Sequence, residues 1–308
     1  MAEEDCRVLL VQSHVVSGYV GNKSAVFPLQ VLGFEVDYIN SVQFSNHTGY
    51  KCFKGQVLNA DELKELFDGL KSNNINNYSY LVTGYIGSVS FLEGVLEMVK
   101  EFKKVKPDLL YVCDPVMGDR GFMYVPKELL PVYQEKIIPH ADLITPNQYE
   151  AELLTGLSIK TKADAIQAMD MFHEKGVKSV VLSSCEFDSS STLVLLGSQI
   201  NVKLVWPHGG SIFTSVCVCV CLSVCEQDNS RTAGLILFLF LNFLLFLLQT
   251  ACEKTIATMQ AVLQRTLDYA QKAAGPGNKA TAAQRELRLV QSKKDIEEPS
   301  VTLKAKSL

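Results

Sequence analysis

The chain has 308 residues, 47% of them hydrophobic and 20% charged, a composition that excludes wholesale disorder. The length suits one large α/β domain or two ordinary ones, and it can bury a sizeable core. A formal net charge of -4 argues against a broad electrostatic hold on nucleic acid, whereas a small anion needs only a local site. The opening Ala2-Glu3-Glu4-Asp5 is acidic and no apolar leader follows it, so no secretory signal is expected.

In chain order, residues 7–12 (RVLLVQ) form a short apolar run of strand length. Residues 22–32 are apolar at helical spacing, with Pro28 inside predicting a kink or a late start. Residues 34–40 (FEVDYIN) alternate as a strand, and 61–72 (DELKELFDGLKS) make an amphipathic helix with acids in its first turn. Strands at 80–83 and 109–113 flank a helix at 90–104. A helix with Pro in its opening turn is predicted over 126–138, then a strand at 143–145 and a helix at 148–154. Thr161 caps a helix over 161–175, with Asp164 three residues on, and strands follow at 178–183 and 192–196. Strands alternating with helices imply an α/β fold: a mostly parallel sheet covered on both faces, joined by right-handed crossovers.

After residue 200 the rhythm breaks, and residues 201–230 show no clear period. Nine cysteines are unevenly spread: Cys6, Cys52, Cys113, Cys185 and Cys252 stand singly, as in a reduced cytosolic protein, while Cys217, Cys219, Cys221 and Cys225 crowd into VCVCVCLSVC. Cys-x-Cys-x-Cys suits a thiolate metal cluster, but no His or acid stands within the run. Strict Val-Cys alternation is also what an in-frame GT dinucleotide repeat encodes. From Gly234 to Leu248 the chain reads GLILFLFLNFLLFLL, with Asn242 its one polar side chain. A spanning helix wants about 20 apolar residues, roughly 17 at least, so the run reads as a buried or anomalous insertion, with a membrane tether through 233–248 as the alternative. Helical patterning returns over 252–272 and 281–292, ahead of a polar tail at 301–308 that is expected to fray.

Ligands of open parallel sheets bind beyond the carboxyl ends of the strands. There the sequence places Ser13 and His14, then Gly84 and Tyr85, then Asp114 to Asp119, then Pro146, Asn147 and Glu150, then Ser183 and Ser184. Asp114, Asp119 and Glu150 could share a hard cation such as Mg2+, which takes one or two carboxylates plus phosphates and water. Asp114 before Pro115 also suits a turn, and Glu150 a helix's first turn. His14 and His47 read as hydrogen-bonded structural histidines. No GxxxxGK[ST], GxGxxG or HExxH is present, which removes the main support for P-loop, dinucleotide and zinc-hydrolase readings.

The segments QSHVVSGYVGNKSAVFPLQVLGFEVD, NSVQFSNHTGY, KGQVLN, YVCDPVMGD, MYVPKELLPVY and ITPNQYEAELLTG resemble the pyridoxal kinases of the ribokinase-like superfamily. The likeness covers about residues 1–200 and resumes in ACEKTIATMQAVLQRTL and LRLVQSKKDIE. It implies one kinase domain over 1–300, interrupted at 203–249, that uses ATP, a divalent cation such as Mg2+ and a monovalent cation such as K+ on the 5′-hydroxyl of pyridoxal, pyridoxine or pyridoxamine. A cytoplasmic homodimer is implied as well. By resemblance, Ser13 and Thr48 hold the pyridine ring, with Val20 and Tyr85 lining its pocket. Asp114 and Glu150 face metal and phosphates, Asp119 lies on the same loop, and Thr145 belongs to the monovalent-cation site. Asn147, Ser183 and Ser184 contact nucleotide, and Tyr124 lies on the closing flap.

Two departures stand out. The flap has only Arg120-Gly121-Phe122-Met123 between Asp119 and Tyr124, fewer residues than the family usually carries. More seriously, the family's Gly-Thr-Gly-Asp loop, whose Asp acts as the base, is missing: residues 203–249 contain no Gly-x-Gly-Asp, and Asp228 sits in EQDNS without flanking glycines. No catalytic base is assigned. The block at 203–249 reads as translated intron, and is expected to be unstructured or an apolar helix.

Overall fold

A computed structural model describes residues 7–187, 192–205, 211–223, 248–304 and 306–307. Strand β1 (Arg7–Val15) explains the layering. Val8 and Leu10 point to one face of the sheet, Leu9 and Val11 to the other, and each is at most 1% exposed. A strand buried on both faces reads as a continuous apolar run, as RVLLV does.

The following elements are α1 (Asn22–Val31), β2 (Glu35–Phe44), β3 (Gly55–Val57), α2 (Ala60–Ser72), β4 (Tyr80–Thr83), α3 (Val89–Val105) and β5 (Leu110–Cys113). A small hairpin of β6 (Gly118–Asp119) and β7 (Phe122–Met123) leads to α4 (Leu129–Val132), β8 (Leu143–Ile144), α5 (Gln148–Thr155), α6 (Lys162–Glu174) and β9 (Ser179–Cys185). The remainder comprises β10 (Thr192–Val205), β11 (Ser211–Ser223), α7 (Leu248–Ala274), α8 (Lys293–Glu297) and β12 (Lys306–Ser307). The ten-stranded sheet runs β12-β11-β10-β9-β8-β5-β4-β1-β2-β3. Its centre, from β9 through β2, is parallel, and antiparallel strands extend both edges. One face packs on α2, α3, α5 and α6 through Leu63, Phe91, Ala151 and Phe172. The other packs on α1 and α7 through Leu29, Cys252, Ile256 and Met259.

Helix starts follow the predicted chemistry. Thr161 accepts from the Asp164 amide (3.2 Å) while Asp164 accepts from the Thr161 amide (2.8 Å), the reciprocal pair expected of a capping box. Thr161→Ala should lower stability by about 1 kcal/mol, read as a shifted urea midpoint at unchanged m-value.

Several expectations need correction. Pro28 does not delay α1, which starts at Asn22 and runs on through it. The helix expected over 126–138 breaks into α4, a π turn (Tyr133–Ile137) and a 3-10 turn (Ile138–His140), where Pro139 supplies no amide donor. Residues 281–292 form two 3-10 turns rather than a helix. Within the block at 203–249, residues 211–223 are neither unstructured nor helical: β11 pairs antiparallel with β10 from Thr192↔Ser223 to Val205↔Ser211. Nor does the whole tail fray, since Ser307 and Lys306 pair with Val218 and Cys219. Cys225 and nearly all of the run at 233–248 lie outside the described residues, and among those described no helix is long and apolar enough to cross a membrane.

Candidate active site

The carboxyl ends of β1, β4, β5, β8 and β9 lie side by side, so the residues that follow them share one rim. At β1 the register against β2 slips between Gln12 and Ser13, leaving Ser41 as an extra residue on β2. Such a bulge re-aims the strand that carries it. The Ser41 hydroxyl donates to the Tyr85 carbonyl (2.6 Å) and so ties the loop after β4 to the β2 side of the rim. Beneath it, the buried Asn22 Nδ2, with two hydrogens to share, lies within hydrogen-bond distance of the carbonyls of Gln12 (3.1 Å) and Ile39 (2.8 Å) and of Asn40 Oδ1 (2.9 Å), fixing the start of α1. Gly21, at φ 47°, lets this turn pass Ser13: a Cβ there would stand 2.1 Å from the Ser13 carbonyl oxygen and 2.5 Å from its hydroxyl. Ser13, Val20 and Tyr85 are half-buried, and Thr48 is exposed on the loop after β2.

The acidic half of the rim is built by α5. Asn147 caps this helix, accepting from the Glu150 amide (2.9 Å), and donates through its side chain to the Gly118 carbonyl (2.8 Å). Glu150 returns a bond from the Asn147 amide (2.9 Å) and accepts the amides of Met117 (2.9 Å) and Gly118 (3.4 Å). One carboxylate thus holds both the helix start and the strand leading into the flap. Asp114 is 4% exposed, and its Oδ1 has no hydrogen-bond partner among the described residues. Burial, reinforced by the Glu150 charge, pushes its carboxyl well above the usual range. Burial also raises Glu150, against the three amide bonds that favour its charge.

Among the described residues, two buried hydroxyls here, those of Thr145 and Ser183, also lack partners. Such groups cost free energy unless something fills the site. A cation held by Asp114, with phosphate oxygens nearby, would satisfy donors and acceptors of these types, so the residues present fit a divalent ion with a nucleotide. Among the described residues no three His, Cys, Asp or Glu side chains come together to hold a metal. Asp119 stands half-buried on the flap hairpin beside Arg120, while Glu150 spends its lone pairs on amides. Tyr124 is 47% exposed. Its phenol is raised by burial first and then by the charges of Glu150, Asp114 and Asp119, which sets it within their field. Ser184 follows Ser183, half-buried.

The family model described as phosphomethylpyrimidine kinase matches residues 37–207. Pyridoxal kinase of Bos taurus is 51% identical over 98% of this chain and 99% of its own length, and that of Homo sapiens is 48% identical with the same coverage. The chain belongs to the pyridoxal kinase family. Pyridoxal kinase from Leishmania donovani in complex with ADP and pyridoxine superposes with a TM-score of 0.87 at 32% identity, covering 99% of each chain.

Within this family frame, the histidines part ways. His47 Nδ1 accepts from the Gly49 amide (3.1 Å), the structural role expected of it. His14 departs from expectation: its buried Nδ1 has no partner among the described residues, its ring stacks on Tyr38 at 6.0 Å, and burial, followed by Lys23, lowers its pKa. Sequence reasoning passed over Asn22, Ser41 and Gly21, which position the rim without touching its chemistry. Only Gly21, a glycine just ahead of a helical run, carried a signal that could have found it.

Proposed function

We propose that this chain is built to phosphorylate the 5′-hydroxyl of pyridoxal, pyridoxine or pyridoxamine with ATP, acting as one kinase domain over residues 1–300. The observation that carries the reading is the buried Asp114, partnerless at Oδ1, beside Glu150 on the rim of a pyridoxal kinase fold. In this reading Ser13 and Thr48 orient the ring, with Val20 and Tyr85 as pocket walls. Asn147, Ser183 and Ser184 hold the nucleotide, and Tyr124 closes over it to exclude water. Asp114, with Glu150 and Asp119 nearby, would hold Mg2+ or a similar ion, and Thr145 a monovalent ion such as K+. A bound divalent ion supplies neutralisation of charge on the transferring phosphoryl group.

The test is ADP release on adding pyridoxal, paired with calorimetry of pyridoxal and ADP. Heat with both ligands is expected. No heat with either would overturn the reading. A second reading, a binder of vitamer and nucleotide without turnover, is favoured by one specific observation: the absence of Gly-x-Gly-Asp. Sequencing the transcript across the codons for Ile200 to Ala251 tests whether the block is retained intron.

We also place the protein in the cytoplasm as a homodimer. Val16 (64% exposed), Tyr38 (48%), Phe53 (43%) and Val57 (53%) leave apolar surface around the β2–β3 edge, which suits a second copy of the chain. Light scattering should give twice the chain mass, and Phe53→Glu should halve it.

A further inference from the structure

Far from the rim in sequence, Glu286 follows the first 3-10 turn of the C-terminal segment, and its carboxylate reaches two loops at once. Oε1 accepts the Tyr50 hydroxyl at 3.0 Å and lies 3.4 Å from His47 Nε2. Oε2 accepts the Tyr19 amide at 3.2 Å. Because His47 Nδ1 already accepts the Gly49 amide, a neutral ring carries its hydrogen on Nε2, directed at Glu286. His47 and Glu286 are only 19% and 18% exposed at their side chains.

The approach is close enough to dictate a neighbour. Gly18 has φ 92°, and a Cβ there would lie 2.4 Å from Glu286 Oε1. Any other residue would collide with the carboxylate as well as strain the backbone. Burial alone would raise the Glu286 pKa, yet the bonds from His47 and Tyr50 outweigh it and hold the group below its usual value, so it is charged at neutral pH. Charge-assisted bonds of this kind are roughly twice as strong as neutral ones.

Tyr19 adjoins Val20, and His47 adjoins Thr48. We propose that Glu286 is a positioning residue that ties the Val20 loop to the Thr48 loop and thereby sets the affinity of the pyridine site. The proposal rests on the ring-binding reading of those two residues given above. A carboxylate with acceptors on both oxygens holds two loops at a fixed separation, so the site stays preorganised instead of being ordered by each ligand.

The experiment compares the full-length chain with Glu286→Ala and Glu286→Gln. Calorimetry with pyridoxal and, separately, ADP gives the two affinities, and hydrogen exchange reports the loops at 17–21 and 45–51. Glu286→Ala should weaken pyridoxal about tenfold or more, leave ADP unchanged, and speed exchange in both loops. Glu286→Gln, which still accepts from Tyr19 or Tyr50, should recover part of the loss. Unchanged pyridoxal affinity, or equal losses for pyridoxal and ADP, would overturn the proposal. If the parent binds no pyridoxal, the functional reading fails by itself. Loop exchange then decides the tie alone: unchanged exchange at both loops in Glu286→Ala would end it.

Discussion

Replacing residues 203–249 with the Gly-Thr-Gly-Asp segment of a related pyridoxal kinase should raise phosphoryl transfer by about 10⁴-fold or more. A general base contributes about 10²–10⁴-fold and one backbone donor to a developing charge about 10²–10³-fold. The chain contains no Gly-x-Gly-Asp to supply either. The rest of the rim is in place, with Asn147, Glu150 and Asp114 buried where α5 and β5 put them. On the proposed reading, the exchange adds the missing base and backbone donor to these residues. Coupled-enzyme assay of ADP release, parent against exchanged chain, measures the ratio. Equal rates would mean that the transferring group is handled by other residues, and the reading of the block as the site of the lost base would fall.

Asp114→Asn should act in opposite directions on turnover and on stability. On the proposed reading of Asp114 as the cation-facing carboxylate, its loss in the exchanged chain should reduce turnover about 10²–10³-fold. In the ligand-free parent, the same change should raise the melting temperature. The folded pKa of Asp114 lies well above the unfolded value of about 3.9, because burial and Glu150 disfavour its charge. Stability from this group is thus fully present below pH of about 4 and is lost as pH rises through the folded pKa. Asparagine carries no charge to penalise, so at pH 7 the substituted protein should melt higher than the parent. Thermal melts of both proteins at pH 4 and pH 7 check the sign: the gain should appear at pH 7 and vanish at pH 4. Saturating ADP with Mg2+ should favour the parent instead, since ligand binding stabilises the form that binds.

Much of the fold up to β9 was legible because local and tertiary preferences coincide there. The alternation of Val8 and Leu10 with Leu9 and Val11 marks a strand buried on both sides, and Thr161 with Asp164 marks a helix start from side-chain chemistry alone. The rim residues were found by the rule that loops follow strands, which needs only strand positions. Beyond residue 200 these sources diverge. The Val-Cys alternation has the period of a strand, yet only pairing with β10 turns residues 211–223 into one. Residues 281–292 carry helical spacing, but Glu286 adopts ψ 140° and leaves the helical path, and its carboxylate meets His47 and Tyr50. No periodicity announces such a long-range tie. An end to the helix near residue 138 was foreseeable from Pro139, whose missing amide argues against one continuous helix.

The order of the two sheet faces along the chain has a consequence during synthesis. Val8, Leu10, Val82 and Val112 form an apolar surface early, but part of their cover, Ile256, Met259 and Val262 of α7, is encoded near the far end. At ribosomal rates of about 5–20 residues per second, that surface waits on the order of tens of seconds for its lid of helix. A nascent chain in this state is a ready client for chaperones. Any lengthening of the stretch between β10 and α7 prolongs the wait, so translation speed across codons 206–247 should influence how much of the product reaches the native state.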